Sequence, residues 1–289
     1  EEERTELQVG RAQFRRHVVI VAHVAVSVLK GATLIDGSVT DVVLRDGVVE
    51  AVRSDATVPP DGEEVDLAGW LLLPAAVEPH AHLDKAFLAE VVPNPTGDLL
   101  GAIAAMTANR DRLNVAETVE RGERAARLMA ANGYVAVRTH ADVTLDHGLT
   151  SIEALAEVRC RVAGLIDVEI VALAGRPITG PEGADLRALM VDALAAGADL
   201  VGGCPHLEDF TPSGIAAATD VFLQLAADHD RAVDLHTDET LDPAANGLDV
   251  LARQVLAGFE LPVTASHCVS LGQQAPDVQQ ATAERVAEA

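Results

Sequence analysis

The residues best suited to chemistry are histidines and their carboxylate neighbours. His80-x-His82 is the sharpest local feature. Alternate residues of a strand point to the same side, so both imidazoles can face one ion. Imidazole suits zinc, iron and other divalent first-row metals. His236-x-x-Glu239 extends the pattern: an imidazole placed to ligate, then a carboxylate that can take a proton from water and return it to a leaving nitrogen. His267 could be a third ligand, a donor to water or to a substrate oxygen, or a satisfied buried side chain. His140 carries the same ambiguity, with pairing to its neighbour Asp142 as the plainer reading. Asp84 could orient the loop after His82 or a ligand. His17, His23, His147 and His229 read as structural or surface residues. H-x-H and H-x-x-E both occur by chance, so their weight depends on the elements that position them.

Those elements have a regular rhythm from residue 70 onward. Short apolar runs (70–77, 134–139, 168–173, 200–203, 232–235, 262–265) alternate with segments of helical period (114–131, 152–162, 184–196, 212–228, 245–257, and a partial helix over 275–289). Gly133 and Gly197 stand where helix C-caps belong, and Thr211-Pro212 reads as a helix start. Strand–helix alternation implies βαβ units and a parallel sheet. All but the third of these strand ends carry a His within a few residues: His80 and His82, His140, His206, His236, His267. In parallel barrels the C-terminal strand ends are where catalytic groups converge. Before this, residues 34–65 read as short strands, with Asp36-Gly37 and Asp46-Gly47 as hairpin turns. The sequence thus divides into an N-terminal extension (1–33), a small β module (34–69) and a βα-repeating region (70–289).

Composition narrows the function class. The 289 residues carry 45 acidic and 21 basic side chains, a formal charge of −24. That argues against a nucleic-acid partner, which requires a basic footprint, and against docking on an anionic membrane. Arg15-Arg16-His17 followed by the apolar run 18–29 resembles the start of a signal peptide. The run is too short to span a bilayer, has no clear small-x-small cleavage site and follows Glu1-Glu2-Glu3. It reads as a buried β segment or an N-terminal extension. Three cysteines with no C-x-x-C fit a reducing, cytoplasmic setting. No glycine-rich phosphate loop follows the first strand, so a dinucleotide fingerprint and a P-loop are both excluded.

Four blocks, taken together, resemble the cytosine-deaminase-like branch of the amidohydrolase superfamily. They are Val77-Glu78-Pro79-His80-Ala81-His82-Leu83-Asp84, Val137-Arg138-Thr139-His140-Ala141-Asp142-Val143, Asp234-Leu235-His236-Thr237-Asp238-Glu239 and Val263-Thr264-Ala265-Ser266-His267. A fifth joins Gly197 to Gly203 with Pro205-His206-Leu207-Glu208. The resemblance implies an α/β fold, a TIM-like (β/α)8 barrel with a small β-sandwich. It implies one divalent metal ion, zinc or iron, held by His80, His82, His236 and a later Asp. Glu239 would be the proton shuttle and His267 would contact the hydrolytic water. Some superfamily members bridge two metals with a carboxylated Lys on the fourth strand. The only lysines here, Lys30 and Lys85, lie elsewhere in the sequence, which implies a mononuclear site.

The implied reaction is hydrolysis of a C–N bond in a cyclic amidine or amide, with release of ammonia. An amidase or an amine-releasing triazine- or hydantoin-type hydrolase is the alternative. The substrate is a small heterocycle, and self-association stays open. Two departures from the branch matter. The Gln that reads the pyrimidine edge after the third strand is replaced by a stretch containing Arg176, which points to a more acidic or oxygen-rich substrate, with His140 and His206 as further substrate contacts. A barrel of eight units typically needs ~250 residues, and with the β module in front the sequence reaches only the sixth strand by Ala289. The expectation is a chain that lacks the last two barrel strands, the late Asp and the returning sandwich strands, and that on its own could be inactive.

Overall fold

The computed structural model describes residues 26–289. The basic cluster, His17, His23 and most of the apolar run 18–29 lie outside the described residues. Two compact units are present, one holding the described residues up to Ala75 together with Ala131–Gly133, the other Ala76–Ala130 and Tyr134–Ala289.

The first unit is a four-stranded mixed sheet. Strands β1 (Val26–Thr33), β2 (Val39–Arg45), β3 (Val48–Arg53) and β4 (Glu63–Asp66) take the order β3-β2-β1-β4. Asp46 and Gly47 both have positive φ, 50° and 80°, as a tight hairpin turn requires. The expected start at residue 34 is corrected here: β1 is built from part of the stretch set apart as an extension, and pairs antiparallel with β2. Val26, Val28, Val43 and Ala56 form a small core of their own.

The second unit is a parallel six-stranded sheet in sequential order. Its strands are β5 (Ala76–Ala81), β6 (Tyr134–Val143), β7 (Asp167–Ala174), β8 (Leu200–Gly203), β9 (Val233–Thr237) and β10 (Val263–His267). The helices are α1 (Leu99–Ala108), α2 (Val115–Ala130), α3 (Thr150–Arg161), α4 (Ala184–Ala195), α5 (Pro212–His229), α6 (Gly247–Leu256) and α7 (Pro276–Glu288). The sheet curls until its edges approach: the His80 ring on β5 lies 4.7 Å from that of His267 on β10. It is a nearly closed parallel barrel.

β8 and β9 are buried along their whole length, as expected of strands covered on both faces. Leu155, Ile170, Met190 and Phe222 fill the core between sheet and helices, each worth roughly 1.5–3 kcal/mol of burial. The packing is close at β8, where a Cβ on Gly203 would collide with the Phe222 ring.

Two elements differ from expectation. The apolar run at 70–77 is split. Thr33 donates to the carbonyl of Trp70 and Leu72 donates to that of Thr33, so residues 70–75 follow the first sheet and the barrel strand starts at Ala76. Helix α1 is new. Its composition is apolar all round and lacks a helical stripe, so periodicity could not reveal it. Its start is marked by Asp98, whose carboxylate accepts from the Gly101 amide at 2.7 Å.

Candidate metal centre

Strand geometry brings five imidazoles together. His80 lies within β5 and His82 just after it, His140 is on β6, His236 on β9 and His267 ends β10. Neighbouring ring centroids are 4.2 to 5.4 Å apart. The Nε2 atoms of His82 and His236 approach to 3.2 Å. Metal–nitrogen bonds of ~2.0–2.1 Å place adjacent ligand nitrogens roughly 3.0–3.4 Å apart, so this spacing fits two ligands of one ion. Buried His80 Nε2, His82 Nδ1 and His236 Nδ1 have no hydrogen-bond partner. Ligand atoms of His80, His82 and His140, and of His80, His236 and His267, gather within 4.8 Å in two overlapping groups that could hold a metal ion.

Electrostatics keep the rings of His80, His82 and His236 neutral and able to donate lone pairs. Burial, then the nearby His140, pushes His80 down to about 4. Burial, then Lys85, pushes His82 down to about 3. His236 is lowered further, again first by burial and then by His140.

The floor beneath the rings is polar. Asp234, two residues before His236 and fully buried, accepts from Arg138 Nη1 at 2.9 Å and from Ser266 Oγ at 2.9 Å. His140 Nε2 lies 3.3 Å from its Oδ1. Burial would raise the carboxyl, but the bonds from His140 and Arg138 hold Asp234 below the ordinary range. Asp142 pairs with Lys85 at 2.8 Å, so the expected His140–Asp142 pair is replaced by His140 beside Asp234. The reason is strand alternation, which turns residues 140 and 142 to one face but places Asp142 a layer higher, at the end of β6.

Beyond β9 the chain turns through Asp238, at φ 50°. The Asp238 carboxylate caps α6, accepting from the amides of Gly247 (2.9 Å) and Leu248 (3.0 Å). That anchor leaves Glu239 at the rim, its Oε2 3.7 Å from His267 Nε2. His267 and Cys268 also adopt positive φ, 68° and 52°, a backbone state that costs of order 1–3 kcal/mol per residue and clusters at functional sites.

Comparison with known proteins points one way. The sequence is 31% identical over 253 residues to a pterin deaminase of Rhizobium rhizogenes, spanning 86% of this chain and 56% of that protein. A 5-methylcytosine deaminase from Klebsiella pneumoniae superposes with a TM-score of 0.79 at 31% identity, over 90% of this chain and 63% of that one. N-isopropylammelide isopropylaminohydrolase from Burkholderia multivorans gives 0.77 at 29% identity, over 91% and 66%. This chain belongs to the amidohydrolase superfamily. It spans about half the length of the curated relatives it matches over most of its own. No family model matches the sequence.

Within this amidohydrolase frame, the residues singled out from sequence separate into two groups. His80, His82, His236, His267 and Glu239 converge, with His140 at their base. His140 is fully buried. His206 is also buried, in the short 3-10 turn Pro205–Leu207, and bonds to the backbone of His236. Arg176 lies apart from the rings, exposed beyond β7, with its guanidinium 5.7 Å from the Phe210 ring. Its loop is clamped by the Glu208 carboxylate, which accepts from the Ile178 and Thr179 amides at 3.0 Å. Residues that sequence reasoning missed are Asp234, Ser266 and Arg138. Each is polar and sits an even number of places before or after a His on the same strand or across from one, which is the signal that could have found them.

Lys85 also differs from expectation. It is close enough to Cys204, just past β8, to oppose the rise of that thiol, which burial and then Glu239 push up to about 12. Lys85 Nζ bonds to Asp84 (2.9 Å) and Asp142 (2.8 Å). Burial works against its charge, yet Asp142 and Asp84 raise its pKa.

Proposed function

We propose that this chain carries the metal centre of a cytosine-deaminase-like aminohydrolase that cleaves a C–N bond in a cyclic amidine or amide and releases ammonia. The observation that carries the reading is the convergence of imidazoles from β5, β9 and β10 on one point, with Glu239 at its rim. We read the curved sheet as the (β/α)8 barrel of the superfamily and the four-stranded sheet as part of its β-sandwich. The enzyme would act in the cytoplasm on a diffusible heterocycle.

His80, His82 and His236 would hold one divalent ion, zinc or iron. Such an ion, when bound, would lower the pKa of its water towards about 7. Glu239 then accepts the water proton and later delivers it to the departing nitrogen. His267, at the rim, donates to water or to a substrate oxygen. His140 supports the ligands from below through Asp234. The Lys85 ammonium is held between two carboxylates, which supports a single-ion site, since carboxylation requires a free amine. Arg176, exposed beyond β7, would favour a substrate with an acidic or oxygen-rich edge.

The likeness to the isopropylammelide hydrolase favours one second reading, release of an alkylamine from a triazine. The test is metal analysis plus turnover on cytosine, isocytosine, a pterin and an N-alkylated triazine, using protein from the complete reading frame. Ammonia from one of the amino-substituted rings is the expected product. Alkylamine alone would establish the second reading, and a metal-loaded protein with no turnover on any ring would overturn both.

A further inference from the structure

The hydrogen bonds under the cluster contain a proton count that decides which nitrogen of His80 is free. Asp234 is an acceptor-only group. Its Oδ2 receives Arg138 Nη1 and its Oδ1 receives the Ser266 hydroxyl, both at 2.9 Å. A serine hydroxyl has one proton to give, and Ser266 gives it to Asp234. The other partner of Ser266 Oγ is His80 Nδ1, at 3.1 Å. With the serine proton committed, this contact is a hydrogen bond only if His80 Nδ1–H donates to Ser266. A neutral imidazole carries one N–H, so Nε2 holds the lone pair. His80 Nε2 is the atom left buried and unpartnered within the cluster.

We infer that Asp234 and Ser266 form a relay that fixes the tautomer of His80 and aims its Nε2 lone pair at the metal position. Arg138 anchors the relay from the layer below, where it also donates to Thr264 Oγ1 at 3.1 Å. Residues 138 and 140, 234 and 236, and 264 and 266 are alternate positions on β6, β9 and β10, so each strand supplies one residue to the floor and one to the layer above. Ser266 is a positioning residue here: it touches the ligand and no reacting atom. Ligating histidines are commonly oriented through their second nitrogen, and here a serine stands between carboxylate and ring.

The inference rests on the reading of His80 as a ligand, and its test separates the two. Long-range 1H–15N spectra of the metal-stripped protein near neutral pH read the tautomer directly. The expected pattern for His80 is a protonated Nδ1 and a bare Nε2; the reverse pattern overturns the relay. In S266A the Nδ1 preference should vanish, and chelator competition should show metal affinity lowered about 10- to 100-fold, the range for loss of a ligand's support. S266T keeps the hydroxyl and should restore both. D234N gives Ser266 a donor in place of an acceptor, freeing the serine proton to turn towards His80 and moving the imidazole proton to Nε2. If S266A binds metal as tightly as the parent while H80A loses it, the relay is wrong and the ligand assignment survives. If H80A binds metal unchanged, the ligand reading itself has failed.

Discussion

β9 and β10 each carry a histidine at the C-terminal end, His236 next to last in β9 and His267 last in β10, yet the two ends are built differently. β9 is buried at every residue, and His236 sits in regular strand geometry above Asp234. β10 is half-buried along its length, and His267 is exposed at a left-handed backbone position. A ring enclosed among other imidazoles is held neutral and fixed, which is what a ligand requires. A ring at the rim keeps access to water and to whatever enters, which is what a donor to a reacting group requires. The same residue type at equivalent strand ends is thereby divided between holding an ion and meeting a substrate.

The most direct way to break this comparison is to remove each ring in turn. His236→Ala should lower metal affinity by more than about 100-fold, since loss of a ligand exceeds the cost of losing its support, and turnover should vanish with it. His267→Ala should keep the metal and lose turnover. Elemental analysis after dialysis reads the difference; equal metal content in the two variants would abolish the division of roles. Glu239→Gln belongs with His267→Ala. It keeps a polar side chain of the same shape but cannot carry a proton, so kcat should fall by about 100- to 10,000-fold at full metal occupancy. Activity within a few-fold of the parent would remove Glu239 from the proton path.

The enclosed pole should also leave a mark on stability. Unfolding returns His80 and His82 from about 4 and about 3 to their ordinary 6.5. The unfolded chain therefore binds protons that the folded chain refuses. Stability of the metal-stripped protein is full above about pH 6.5 and falls as the pH drops through the window down to about 4 and then about 3. Denaturant midpoints at pH 7 and pH 5 test this, with a lower midpoint expected at pH 5. Replacing both rings by Gln should reduce the slope while leaving the share carried by His236, and a slope unchanged in that variant would assign it to other groups.

Much of this arrangement was legible in the sequence because it follows from strand period and strand order. The alternation of apolar runs and helical segments anticipates β6 to β10, and the H-x-H spacing alone puts His80 and His82 on one side. The start of the barrel was not legible, because the run from Trp70 mixes residues that hydrogen-bond to Thr33 with those that form β5. Helix α1 was hidden by having no polar face. The Asp234–Ser266 floor was hidden for another reason: its partners lie on different strands, and only the curl of the sheet brings β10 to β5. Asp142 shows the limit most clearly, since adjacency in sequence suggested His140 and the fold supplies Lys85 from another loop.

The smallest expected effect belongs to the third strand end, where no histidine stands. Arg176 is exposed, close to Phe210 and well outside the rings, on a loop held by Glu208 on one side and by Arg187, which donates to the carbonyls of Ile178 (2.7 Å) and Gly180 (2.9 Å), on the other. A clamped loop presents its guanidinium in one place at little further entropy cost, but solvent screens an exposed charge to about 1 kcal/mol or less. Arg176→Ala should therefore raise KM by no more than about five-fold and leave kcat unchanged, the signature of binding energy shared equally by ground and transition states. A fall in kcat instead would draw Arg176 into the reacting region, and the contrast between an enclosed and an open pole would then extend to three strand ends.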